Sequence, residues 1–202
     1  MGVTFVTHWD IEEGKNVPQS LEELQRTIEK IGAKKSGLFC VECETYQTVN
    51  INQGKPLNII SNSEYPLSKF ALFEDGASLI ADAMLPNFLV KMRLFWQQRK
   101  GAKIECKGHR YILNDFLFKI GVVTHGSNTR GIAVEIEYTP CLYVKECWNL
   151  LLEIFQNILG PQAPTSENPL FQKLKSTDII YTAEHTSLQY IEVFNNFRKV
   201  TS

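Results

Sequence analysis

The sequence predicts an α+β fold, an antiparallel β-barrel of about eight to ten strands with flanking helices. Three observations point there. Short runs rich in β-branched and aromatic residues fill most of the chain up to residue 138. Turn residues separate several of these runs at hairpin spacing. The helical patterns are too few and too unevenly placed for regular βαβ winding.

The strand runs are GVTFVTHW, GLFCVECETY, PLNII, KFALFE, SLIAD, KIECKG, RYIL, DFLFKIGVVT and IAVEIEY. Asp75-Gly76, between KFALFE and SLIAD, is a hairpin signal, because glycine accepts the positive φ that tight hairpin turns need. Asn114-Asp115 and GSNTRG at 126–131 predict two further turns, so 103–138 reads as a meander.

Four helices follow from apolar periodicity. The first is 20–31, with Ser20 and Glu23 as a capping box, Leu21, Leu24, Ile28 and Ile31 on one stripe, and Gly32 as the stop. The second lies in 85–101, where Leu85, Phe88, Leu89, Met92, Phe95 and Trp96 repeat at helical spacing. The third covers 144–160 and closes at Gly160-Pro161. The last is 186–199, with Thr186 and Gln189 as a second capping box and Arg198 and Lys199 at the negative end of its dipole. Residues 160–169 hold three prolines and read as an exposed loop ahead of the last helix. Residues 1–202 therefore form a single domain.

Composition excludes several classes of function. The chain has 21 basic and 22 acidic residues, a net charge of −1, so no positive field grips a phosphate backbone and no direct nucleic-acid contact is expected. Hydrophobic residues make up 44% and charged residues 21%, which excludes general disorder. No apolar run approaches the ~20 residues that cross a bilayer, so no membrane role is expected. MGVTFVTHWD lacks the pattern of a signal peptide, and Val6 stands where a myristoylation site needs Ser or Thr. Five cysteines, an odd number, read as reduced thiols of the cytosol or nucleus.

Candidate chemistry is sparse. Cys40 and Cys43 form a CxxC without a second pair, and in a strand their side chains leave on opposite faces, so they read as packed thiols. Glu42 and Glu44 share one face of a strand, and Glu135 and Glu137 share one face of another. Two such pairs facing each other across a barrel could hold Mg²⁺ or Mn²⁺, the arrangement of metal-dependent tunnel triphosphatases, with Lys119, Arg110 or Lys107 on the phosphates. Against this, polar alternation is what the solvent face of a half-buried strand shows, with Val134, Ile136 and Tyr138 as the core stripe. The second reading is preferred. No GxSxG, P-loop, GxGxxG or HExxH occurs, and His8, His109, His125 and His185 are scattered surface or turn residues. No catalytic residue, metal or cofactor is expected.

Longer stretches carry more information than these motifs. MGVT at 1–4, FCVECETY at 39–46, NSEYPLSKFALFEDG at 62–76, LIAD at 79–82, GHRY at 108–111 and DFLFKIGVVTHG at 115–126 resemble the Mediator subunit 20 family in its animal form. RGIAVEIEYTPC at 130–141, CWNLLLEIFQNILG at 147–160 and QYIEVFNNFRK at 189–199 continue the resemblance in the same order, with 161–185 the least similar part. The resemblance implies a nuclear, non-catalytic β-barrel subunit of the Mediator coactivator. It further implies pairing with Mediator subunit 18, tethering through subunit 8 to the other head subunits, and only indirect contact with RNA polymerase II. Exposed strand edges and KFALFE are the expected places for a partner interface.

Overall fold

The computed structural model describes residues 2–49, 56–73, 76–99, 103–160, 163, 169–176 and 178–199. The described residues form β1 (Val3–Trp9), α1 (Val17–Lys30), β2 (Lys34–Thr48), β3 (Leu57–Asn62), β4 (Ser68–Phe73), β5 (Ser78–Asp82) and α2 (Leu85–Lys91). They continue with β6 (Trp96–Gln98), β7 (Ile104–Leu113), β8 (Phe116–His125), β9 (Asn128–Tyr138), α3 (Val144–Leu159), α4 (Pro169–Lys175) and α5 (Ala183–Lys199).

All nine strands join one sheet in the order β1-β9-β8-β7-β2-β3-β4-β5, with β6 added beside β2. Every pairing is antiparallel. The 15-residue β2 is the spine: its first part pairs with β7, and its later part pairs with β3 and β6. The expected strand count is met, but the barrel is not closed by hydrogen bonds, because β1 and β5 do not pair with each other. The sheet is nevertheless curled. Helix α5 touches β1, β9 and β4. Six strand spacings of about 4.8 Å separate β1 from β4 along the order, so one helix reaches both only if the sheet wraps around it.

Both faces of the sheet are therefore buried over much of their area. On the outer face Phe5, Phe118, Ile132, Val134 and Ile136 pack against Leu24 and Ile28 of α1, Trp148 and Phe155 of α3, and Phe171 of α4. Phe5 sits edge-on to the rings of Trp148, Phe155 and Phe171, with centroids 5.3, 4.9 and 5.2 Å away. On the inner face Val6, Phe39, Val41, Ile60, Phe70, Cys106 and Val123 pack against Tyr190, Val193 and Phe194 of α5. A smaller cluster joins Tyr46, Leu57, Ile59 and Ala71 to Leu89 of α2.

Several elements differ from the sequence reading. Helix α1 starts at Val17 rather than Ser20: Asn16 caps it, with Gln19 closing the box, and Pro18 in the first turn favours the earlier start. Ser20 is buried inside the helix and Glu23 pairs with Lys15 at 2.7 Å. Gly32, φ +95°, stands just past the helix end as expected. Helix α2 stops at Lys91, and Trp96–Gln98 pairs instead with Tyr46–Thr48, so strand pairing overrides the helical spacing of Phe95 and Trp96. KIECKG and RYIL are one continuous strand, β7. Helix α4 lies where no helix was expected.

The last helix begins at Ala183, and Thr186 and Gln189 lie inside it rather than at its cap. There the Thr182 backbone N–H donates to His185 Nδ1 at 2.9 Å. The β4–β5 hairpin forms with Gly76 at φ +89°, while Asp75 lies outside the described residues. Most of the 160–169 loop also lies outside them.

Candidate functional site

Two regions stand out: a polar cavity inside the curl and an apolar edge outside it. In the cavity, Lys119 of β8 and Glu135 of β9 are directly opposed in register. Lys119 Nζ donates to Glu135 Oε1 at 2.7 Å, and the Tyr190 hydroxyl of α5 donates to Oε2 at 2.5 Å. Glu137, two residues along the same face, accepts the Gly2 amide at 2.6 Å. Arg110 pairs with Glu64 at 3.3 Å. With Thr4, Asn62, Tyr65 and Thr186 these groups line a cavity of about 260 Å³.

Burial pushes the Glu137 carboxyl up, and the Glu135 charge adds to this, while the Gly2 amide opposes it. Burial alone would push the Lys119 ammonium down, but the charge and hydrogen bond of Glu135 outweigh it and hold the lysine above its ordinary value. Burial also raises the Tyr190 phenol well above its usual range. Lys119 and Glu135, and Arg110 and Glu64, are thus paired with each other, while Glu137 is held by a backbone amide.

The four strand glutamates do not meet. In register, Val41 faces Cys106 and Gly37 faces Arg110, which puts the odd residues of β2 from Gly37 onward on the inner face with Lys119 and Glu135. Glu42 and Glu44 are on the other face, where Glu42 pairs with Lys103 at 3.2 Å and Glu44 accepts from the Tyr46 hydroxyl at 3.2 Å. The solvent-face expectation is also corrected for the second pair: Glu135 and Glu137 are buried, because α5 covers that face. Lys107, the remaining cation considered for phosphate, pairs with Glu105 on the surface at 2.8 Å. Among the described residues no group of three or more His, Cys, Asp or Glu is placed to hold a metal.

The CxxC thiols separate as strand parity predicts, Cys43 buried and Cys40 half-buried. Burial, with Glu42 beside it, pushes the Cys40 thiol up to about 11, and burial raises Cys43. Both are poor nucleophiles at neutral pH.

Sequence reasoning missed the role of Gln189. Its side-chain amide accepts from Val6 N at 2.9 Å and donates to Thr4 O at 2.9 Å, so it takes the place of a neighbouring strand along β1. The Tyr181 hydroxyl also donates to Thr4 O, at 2.9 Å. The edge at β1 is thereby closed by side chains. Gln189→Ala removes the partner of the buried Val6 N–H, while Thr4 O keeps the Tyr181 hydroxyl, and we expect it to cost about 2 kcal/mol in urea unfolding.

The other edge, β5, is apolar, and no strand among the described residues pairs with its outward side. Leu79 and Ile80 of β5 and Met84, Phe88 and Val90 at α2 are all more than half exposed, while Leu94 and Phe95, also exposed, lie apart from them beside β6 on the far side of β2. KFALFE is not this surface: Phe70, Ala71 and Leu72 are buried in β4, one strand inward. Single exposed apolar residues are ordinary, but a run of them on one edge marks an interaction surface.

The family model described as "TATA-binding related factor (TRF) of subunit 20 of Mediator complex" matches residues 1–195. The mouse protein named Mediator of RNA polymerase II transcription subunit 20 is 45% identical, over 98% of this chain and 95% of its own length. The Xenopus laevis protein of that name is 46% identical over 98% of this chain and 96% of its own length. The Aedes aegypti protein is 34% identical over 100% of this chain and 97% of its own length. The matched span takes in both sheet edges, the polar cavity and most of α5, and the chain belongs to the Mediator subunit 20 family.

Proposed function

We propose that this chain is a non-catalytic subunit of the Mediator head module, working in the nucleus by pairing with Mediator subunit 18 and tethered through subunit 8. A role as a Mediator subunit in transcription follows from the family. The observation that supports pairing is the exposed apolar surface of β5 and of α2, which follows it. Obligate interfaces are apolar and bury about 2,000 Å² or more, and this surface is apolar and exposed among the described residues. The paired charges of the cavity and the raised thiols support a role without chemistry.

Co-expression with subunit 18 tests the reading. A 1:1 complex that survives gel filtration at micromolar concentration is expected. Leu79→Asp, which places a charge in the apolar edge, should weaken it at least tenfold while leaving the melting temperature of the free chain within a few degrees. A well-folded chain that does not associate overturns the proposal.

A further inference from the structure

We propose that β5 is completed by an extended, apolar segment of the partner subunit, which joins the sheet as an additional strand through main-chain hydrogen bonds. This rests on the pairing reading above and adds its mechanism.

The two edges of the sheet are treated differently. Along β1 the outward Thr4 carbonyl and Val6 amide are occupied by Gln189 and Tyr181. Along β5 the outward groups can be identified from the ladder. Phe73 N donates to Ala77 O and Ala83 N to Leu67 O, so residues 77, 79, 81 and 83 turn their backbone groups toward β4. Ser78, Ile80 and Asp82 turn theirs away, as alternation in an antiparallel pair requires.

Natural sheets blunt such an edge with charge, proline, a bulge or a cover. Here Leu79 and Ile80 are 58% and 54% exposed, on opposite faces of the strand. A segment that satisfies the edge must therefore be extended, and must offer apolar side chains to both faces.

Residue-resolved amide exchange on the free chain and on its complex with subunit 18 tests this. The amides of Ser78, Ile80 and Asp82 should become at least tenfold slower in the complex, while Leu79 and Ala81, already turned toward β4, change little. Ile80→Pro removes one outward N–H without touching the β4 ladder. It should weaken the complex at least tenfold more than Ile80→Ala, with circular dichroism checking the fold of each. A complex that forms with unchanged exchange at the three amides overturns strand addition but leaves the partnership. Absence of any complex overturns both. Dimerisation of the free chain through the same amides, with the complex indifferent to Ile80→Pro, also overturns the proposal.

Discussion

Lys119→Met is expected to destabilise the fold by about 3–5 kcal/mol, because it strands the Glu135 carboxylate in a buried site. For a chain of this length that is a fall in melting temperature of roughly 6–20 °C. The loss measures an uncompensated charge, not the worth of the ion pair. Adding Glu135→Gln should therefore restore most of it, since glutamine still accepts from the Tyr190 hydroxyl. A double variant as unstable as the single one would contradict this account.

The same pair sets a pH dependence. The folded-state value of Lys119 is raised above 10.5, so its contribution is fully present below that pH and is lost as pH rises through the folded value. Glu137 acts at the other end of the scale. Its folded-state value is raised above 4.5, so a penalty absent in acid grows as pH rises through the window above 4.5. Urea midpoints across pH should fall at the alkaline end in the wild type, and less steeply in Lys119→Met.

Gly108→Ala is the second large effect. A Cβ on Gly108 would stand 1.9 Å from the Ile120 carbonyl oxygen and 2.5 Å from the Cα of Gly121. The obstacle is backbone, which cannot swing aside as a side chain would. Gly108 and Gly121 are opposite each other in the β7–β8 ladder, where the strands approach too closely for a methyl group. The substitution should cost about 3 kcal/mol or more, at the upper end of overpacking. Lys107→Ala, next to it and exposed, should change stability by less than about 0.5 kcal/mol. Thermal melts of the two variants compare them directly.

Much of the fold was legible because strand and helix periodicities act locally. Eight of the nine described strands, the stripes of α1 and α3 and the stop at Gly32 all follow from neighbours within a few residues. What was not legible depended on distant partners. Phe95 and Trp96 satisfy helical spacing, but β2, far earlier in the chain, captures Trp96 as a strand. Glu135 and Glu137 show the alternation of a solvent face, and only α5 makes that face interior. Gln189 looks like a capping residue because its partners, Thr4 and Val6, lie at the other end of the chain. Exposure was half legible: an exposed strand edge was expected, and β5 is exposed, but KFALFE is buried in β4.

The reach of α5 across the curl has a consequence for synthesis. Strand β1 is made long before α5, yet α5 covers its inner face and Gln189 of α5 holds the outward Thr4 carbonyl and Val6 amide. Until residues 183–199 have emerged, Lys119 and Glu135 face water and the trough has no filling. Contacts of such long sequence separation form slowly. The unfinished chain therefore spends its synthesis with two open edges, and a chaperone or an early-arriving partner has that whole interval in which to act.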